Sequence, residues 1–181
     1  GHSDAMLGVI TTNRELFPVI KARTVEVGYS AAPDDCYLGL RGLRSLAARL
    51  ARQQETGLKV AHWLEGRPEG AEVRHPAFES CPGHEIWKRD FTGSSSLFGV
   101  LLKDYSKKAV AAMLDGLELH AMGASWGGFE SLILPIDPSS TRTASRWGHA
   151  GPSLRIHCGL EDADDLIADL ASGLERLTAE G

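Results

Sequence analysis

The chain has 181 residues, and its 19 Lys and Arg against 24 Asp and Glu give a formal net charge of −5. The apolar content of 43% and the charged content of 24% are typical of a globular chain, which excludes collagen-like, disordered and disulfide-scaffold proteins. The mild acidity argues against nucleic acid or an anionic membrane as a partner, and the apolar run at 97–102 is too short to cross a bilayer.

The first part of the chain predicts one strand and two helices. Short apolar residues predict a strand within residues 1–13, after which Asn13 can cap a helical segment over 14–27. Apolar residues at i, i+3, i+4 and i+7 spacing then predict a long amphipathic helix that begins after Pro33, Asp34 and Asp35 and extends to Leu64.

The second part predicts an α/β arrangement. Ser106 and Asp162 stand where they can cap two amphipathic helices. Short extended segments alternate with turns and helices, as in a mixed sheet with helices on one face. The predicted strands lie at 71–75, 96–102, 130–135 and 153–157.

These elements divide the chain into three parts. Residues 66–181 predict an α/β domain of their own, and residues 31–65 predict a long linking helix. The strand within residues 1–30 has no sheet to join, so we expect this part to be the end of another domain. The chain opens with Gly1 and its first methionine is Met6, which also suggests part of a longer chain.

Several groups of reactive residues resemble a known kind of site without matching its full pattern. The seven histidines lack the i, i+4 pairing or clustered cysteines of a zinc site, so no metal is predicted. Residues 93–96 offer amides and hydroxyls to an anion, although a plain loop is the better interpretation. Residues 123–127 match Gly-x-Ser-x-Gly, but a nucleophile elbow needs a helix directly afterwards, and an extended segment follows. Three widely spaced cysteines and no secretory leader predict a reduced, cytoplasmic protein.

Two features remain as candidate binding residues. Arg155 lies on a predicted strand opposite Leu154 and Ile156, where its guanidinium is either a surface group or a grip for a carboxylate. In the segment 125–128, two adjacent glycines would let the backbone come close to a bound group, which Ser125 and Trp126 would line. A packed glycine-rich turn is the plainer alternative for that segment.

At these residues the sequence resembles the C-terminal part of the pyridoxal-phosphate (PLP) enzymes of the cysteine and methionine metabolism family, and within that family the cystathionine β-lyases. The matching segments follow the family's order over nearly the whole chain, and together they are specific. They are GHSDAM at 1–6, RGLR at 41–44, GHEIWKRDFTGSS at 83–95, SWGGFESL at 125–132 and LRIHCGLED at 154–162.

The resemblance implies a fold-type I enzyme in which a lysine holds PLP as a Schiff base and the cofactor stores a carbanion at the substrate α-carbon. It implies conversion of cystathionine, an amino-acid thioether, into homocysteine, pyruvate and ammonia. Arg155 would bind the substrate α-carboxylate, and Ser125 and Trp126 would line the same pocket. Residues 1–30 would be the end of the PLP-binding domain, and residues 66–181 the C-terminal domain with a mixed, mostly antiparallel sheet.

The chain departs from the family pattern at its front. The family's cofactor lysine lies just before the Gly-His-Ser-Asp segment, with which this chain begins, and neither Lys21 nor Lys59 occupies that position. No catalytic or cofactor-binding residue is therefore assigned here, and we expect this chain alone to be inactive. The β-lyases also carry Tyr where this chain has Ala124, which leaves the preferred thioether open.

Other functions remain open under the resemblance. The γ-synthase and γ-lyase belong to the same family, although Trp126 favours the β-lyase because γ-lyases tend to carry Leu there. A different class of function is a non-catalytic module that completes a partner chain. The resemblance also suggests a homotetramer whose active sites borrow residues from a neighbour.

Overall fold

Two helices, α1 at Phe17–Glu26 and α2 at Pro33–Glu65, occupy most of the first third of the chain in the computed structural model, which describes residues 1–181. The Asn13 side chain accepts a hydrogen bond from the Leu16 N–H at 2.8 Å. It therefore caps the turn that leads into α1, as the sequence predicts. The long helix is confirmed, although it begins at Pro33, earlier than the predicted start after Asp35.

The strand predicted within residues 1–13 is wrong, because no residue there belongs to a strand. The side chains of Met6 and Val9 are 97% and 82% exposed. A strand requires a hydrogen-bonded neighbour, and the strands of this molecule pair only with one another in a single sheet. The apolar pattern is real, but no partner strand is present for it.

The sheet has five strands in the order β1-β2-β5-β4-β3. All neighbours are antiparallel except β3 and β4, which are parallel. Four of these five strands were predicted, and β3 was missed because it is only two residues long and both are exposed. The strands are β1 at Gly70–Arg74, β2 at Leu97–Leu102, β3 at Ala121–Met122, β4 at Leu132–Ile136 and β5 at Ser153–His157.

Three more helices complete the fold: α3 at His84–Asp90, α4 at Lys107–Asp115 and α5 at Ala163–Ala179. The Ser106 hydroxyl accepts from the N–H of Ala109, which caps α4 as predicted. The Asp162 carboxylate likewise accepts from the N–H of Asp164 and caps α5. No helix combines the length and apolar content that a bilayer span requires.

The hydrophobic core lies between one face of the sheet and the helices that pack against it. Strand β5 alternates, so Leu154 and Ile156 point into the core while Arg155 and His157 belong to the opposite face. The predicted α/β fold with a mixed, mostly antiparallel sheet is confirmed. Side chains no more than 1% exposed at its centre include Met113, Leu154, Ile156, Leu166, Leu170 and Leu174.

The chain divides into two compact units, Gly1–Ala47 and Ala48–Gly181. The second unit contains the whole sheet. It also contains every residue of the candidate site described below, so that site can be built from this unit alone.

Candidate functional site

The candidate site is centred on the loop of residues 123–128, the first part of the connection between β3 and β4. Arg155 on β5 donates hydrogen bonds through Nη2 to the carbonyl oxygens of Gly123, Ala124 and Ser125 at 3.3, 2.8 and 3.1 Å. Because all three bonds leave from Nη2, the hydrogens on Nη1 and Nε remain for a ligand. The guanidinium is thus fixed against the loop without using its whole donor fork.

The two side chains at the tip of the loop face solvent. Ser125 is exposed, and the Trp126 ring is 61% exposed. Gly127, which follows them, has φ of +78°, a left-handed conformation that residues with a side chain rarely adopt. The structure therefore brings Arg155 and Ser125 into direct contact and places Trp126 beside them on the loop.

His157 holds the other half of the loop. It lies two residues after Arg155 on the same face of β5, and it is 2% exposed. Its Nε2 lies 3.2 Å from the Gly128 carbonyl, and its Nδ1 lies 3.4 Å from the Gly127 amide nitrogen. Since a carbonyl only accepts, this network assigns the hydrogen to Nε2 and leaves Nδ1 to accept from the Gly127 N–H.

Gln53 on α2 provides a third support for the loop. Its Nε2 donates to the same Gly128 carbonyl at 2.7 Å, and the side chain is 2% exposed. Neither Gln53 nor His157 was predicted from the sequence as part of the site. Both could have been suspected, because Gln53 interrupts the apolar face of an amphipathic helix and His157 shares a strand face with Arg155.

Burial sets the ionisation of the two titratable side chains beside the loop, His157 and Cys158. Burial lowers the pKa of His157, although its bond to the Gly128 backbone and the charge of Glu161 act in the opposite direction. Burial also raises the pKa of the neighbouring Cys158 thiol to about 12. The imidazole is therefore neutral at neutral pH, and the thiol stays protonated and unreactive.

A second cluster of hydrogen bonds fixes the segment that follows the loop. The Glu161 carboxylate accepts from the backbone N–H and the hydroxyl of Ser131, both at 2.8 Å, and the Ser131 oxygen accepts from the Gly159 N–H at 2.9 Å. A Cβ at Gly159 would collide with the Phe129 carbonyl oxygen. Close backbone packing here explains the glycine.

The other sequence motifs build no site. Residues 123–127 are followed by bends and then β4, without a helix, so the rejection of a nucleophile elbow is confirmed. The Cys81 thiol donates to the Pro82 carbonyl and the side chain packs against the core, while His84 Nδ1 bonds the Pro76 carbonyl. No group of three or more potential metal-binding side chains is present.

The lysines do not complete the site. The Lys59 ammonium pairs with the Asp164 carboxylate at 2.7 Å, and the Lys21 ammonium lies 5.7 Å from the Phe17 ring centroid. Neither contacts the loop or Arg155. The residues present fit a ligand carboxylate, but they do not fit a cofactor held by a Schiff base.

Comparisons with known proteins place this geometry in a family. Residues 1–175 match the family described as Cys/Met metabolism PLP-dependent enzyme. The chain belongs to that family. PLP is accordingly the cofactor of the full-length enzymes to which this chain is related, and the lysine that would hold it is not among the site residues described above.

The relatives of this family member include more than one activity. The chain is 44% identical to cystathionine beta-lyase MetC of Escherichia coli over 98% of its own length and 46% of the relative. It is 42% identical to L-alanine/L-glutamate racemase of Wolbachia pipientis over 98% of its length and 44% of the relative. The chain thus spans about half the length of the curated relatives it matches.

A solved structure agrees with the fold. The crystal structure of cystathionine gamma synthase from Xanthomonas oryzae pv. oryzae in complex with cystathionine superposes with a TM-score of 0.87 at 34% identity, covering 100% of this chain and 48% of that one. The chain therefore has the fold of one half of such an enzyme.

Proposed function

We propose that this chain supplies the C-terminal half of a PLP-dependent carbon–sulfur lyase acting on cystathionine. The observation that carries the proposal is the Arg155 guanidinium, fixed by three carbonyls with donors to spare. The hydrogens left on Nη1 and Nε, together with the positive charge, can bind a carboxylate through charge-assisted hydrogen bonds, and every amino-acid substrate has an α-carboxylate. The proposal of this reaction draws on the identity of 44% to a cystathionine beta-lyase, beside 42% to a racemase.

Each residue of the proposed site has a separate task. Arg155 binds the α-carboxylate and so fixes the orientation of the α-carbon. The Ser125 hydroxyl at the loop tip gives the same carboxylate a further hydrogen bond, and the Trp126 ring forms an apolar wall beside the thioether chain. In the overall reaction cystathionine and water become homocysteine, pyruvate and ammonia.

The cofactor chemistry comes from outside these residues. PLP supplies an electron sink for the carbanion at the α-carbon, and no lysine of this chain contacts the proposed site. We therefore propose that the assembled enzyme, meaning this chain together with the remaining half of a family member's length, forms the complete active site. The chain alone should form no pyruvate. A homotetramer remains the proposed oligomeric state of the assembled enzyme.

Two other activities share this site and remain alternatives. The solved relative is a cystathionine gamma synthase, and another relative is an L-alanine/L-glutamate racemase. Arg155 does not distinguish them, because all these substrates are amino acids with an α-carboxylate. The resemblance to β-lyases at Trp126 favours the β-lyase, and an assay of the reaction products distinguishes the alternatives.

The test follows pyruvate and homocysteine formed from cystathionine by the assembled enzyme, beside racemisation of alanine and glutamate. Pyruvate formation with negligible racemisation supports the proposal, and racemisation without pyruvate contradicts it. We expect Arg155→Ala to raise the KM for cystathionine and to lower kcat/KM by about 10- to 150-fold, the loss of a charge-assisted hydrogen-bonded pair. The absorbance of bound PLP should not change. Arg155→Lys, which keeps the charge and loses the fork, should lie between Ala and wild type.

A further inference from the structure

The 123–128 loop is attached to the protein at both ends and is unsupported at its tip. Arg155 binds the carbonyls of residues 123–125, while His157 binds the backbone of residues 127 and 128. These two side chains are neighbours on one face of β5. Between their contacts only Ser125 and Trp126 project, and both are exposed.

The second attachment is built from buried groups. The Gly128 carbonyl accepts two hydrogen bonds, from Gln53 at 2.7 Å and from His157 at 3.2 Å, and both donors are 2% exposed. Burying a polar side chain costs free energy unless it is hydrogen-bonded, and the hydrogen bonds of these two side chains go to the loop backbone. The Gly127 N–H adds a third bond to the same imidazole.

Two more contacts fix the donors themselves. The Ser96 hydroxyl gives its hydrogen to the Cys158 carbonyl and packs 3.0 Å from His157 Nδ1, so it restricts the ring sterically and not through a hydrogen bond. A Cβ at Gly57 would lie 2.7 Å from the Ser96 Cα, so the glycine lets α2 approach this segment closely. That approach brings Gln53, one turn earlier on α2, within reach of Gly128.

We infer that Gln53 and His157 are positioning residues that hold the 123–128 loop in the geometry required to bind the substrate α-carboxylate. The inference rests on the proposed function and adds two residues to it. Arg155 needs the carbonyls of the loop at fixed places, or its guanidinium loses its orientation. Ser125 reaches the same carboxylate only if the loop does not move. Displacements of about 1 Å are enough to weaken such a site markedly.

The test uses isosteric replacements in the assembled enzyme. Gln53→Leu keeps the volume and removes the donor, and His157→Phe keeps a ring and removes both nitrogens. We expect each to raise the KM for cystathionine by about 3- to 12-fold, as loss of one neutral hydrogen bond implies, with kcat changed less than twofold. Binding that is equal in the ground and transition states changes KM rather than kcat.

A matched control comes from the same helix. Thr56 is fully buried one turn from Gln53, and its hydroxyl has no hydrogen-bond partner. Thr56→Val should therefore leave KM unchanged. A second readout is hydrogen exchange of the Gly127 amide in the chain itself, which should accelerate in His157→Phe and remain slow in Thr56→Val.

The outcomes separate this inference from the proposed function. If the assembled enzyme forms pyruvate, and neither Gln53→Leu nor His157→Phe changes its KM, the inference is overturned and the proposed function stands. If the wild type only racemises amino acids, the lyase proposal fails, and the same KM shifts measured with alanine or glutamate test the inference. A wild type that turns over no amino acid contradicts both. A global loss of stability alone would lower the thermal midpoint without changing the KM of the folded enzyme.

Discussion

The two units of the chain differ most in how their apolar residues are used. In Gly1–Ala47 no residue is buried, and large side chains such as Ile10 and Val25 are 63% and 68% exposed. In Ala48–Gly181 the core side chains Leu166 and Leu170 are fully buried. The difference shows that a regular apolar pattern makes a core only where a second layer of structure covers it.

Helix α2 shows both conditions along one continuous element. Leu43 in its first half is 63% exposed, whereas Val60 and Leu64 near its end are 0% and 4% exposed. The same helical periodicity runs through both halves. The first unit therefore carries an exposed apolar stripe, and large exposed apolar surfaces mark interaction sites.

The largest expected effect comes from a pair of matched leucine substitutions in the chain, one in each unit. Leu170→Ala should lower the free energy of unfolding of the second unit by about 2–5 kcal/mol, because it leaves a cavity in the core. Leu43→Ala, also within a helix, should change it by less than about 0.5 kcal/mol, because the side chain is already exposed. Urea denaturation followed by circular dichroism measures both.

Equal losses from the two substitutions would contradict the contrast between the units. The assembled enzyme provides the sharper version of the same test. There Leu43→Ala should become destabilising if the remaining half covers this stripe, and it should stay neutral if the stripe remains exposed.

A smaller effect is expected at a buried carboxylate of the second unit. Asp169 accepts hydrogen bonds from the backbone N–H groups of Glu118, Leu119 and His120 at 2.8, 3.1 and 3.0 Å, and its carboxylate lies 2.9 Å from His120 Nδ1. Burial acts to raise the pKa of Asp169, but these hydrogen bonds outweigh it and lower the pKa below its usual value. Burial also lowers the pKa of His120.

Both shifts predict that acid destabilises the second unit. A group whose pKa is lower in the folded than in the unfolded state stabilises the fold at pH values above its unfolded pKa, which is near 6.5 for His and about 3.9 for Asp. This contribution is lost as the pH falls through the folded pKa. Asp169→Asn should cost about 1–3 kcal/mol at pH 7 and should flatten the acid side of the stability profile. Thermal melts between pH 7 and pH 3 measure this, with exposed Asp104→Asn as the control. A profile of unchanged slope would show that Asp169 does not carry the acid sensitivity.

The sequence predicts the second unit better than the first for a physical reason. Strand β5 alternates strictly, and its predicted and observed ends coincide at 153 and 157. The caps Ser106 and Asp162 are local signals that need only their own helix. The strand within residues 1–13 was predicted from an equally local pattern, but strand pairing depends on residues that are far away in the sequence.

The site was only partly visible in the sequence. Arg155 and Ser125 were found because they belong to motifs, and the structure brings them into contact. Gln53 was missed because its partner Gly128 lies 75 residues away, and no local pattern specifies that pairing. In the sequence His157 is one of seven scattered histidines, and only the strand geometry shows that it faces the same loop as Arg155.

The central claim is that Arg155 binds the substrate α-carboxylate, and one double comparison tests it most directly. The measurement is kcat/KM of the assembled enzyme and of Arg155→Ala with a cysteine thioether and with its α-carboxamide, which lacks the negative charge. Removing Arg155 should reduce kcat/KM about 10- to 150-fold for the carboxylate and less than about threefold for the carboxamide. An equal reduction for both substrates would contradict the claim, because Arg155 would then act on the fold and not on the carboxylate.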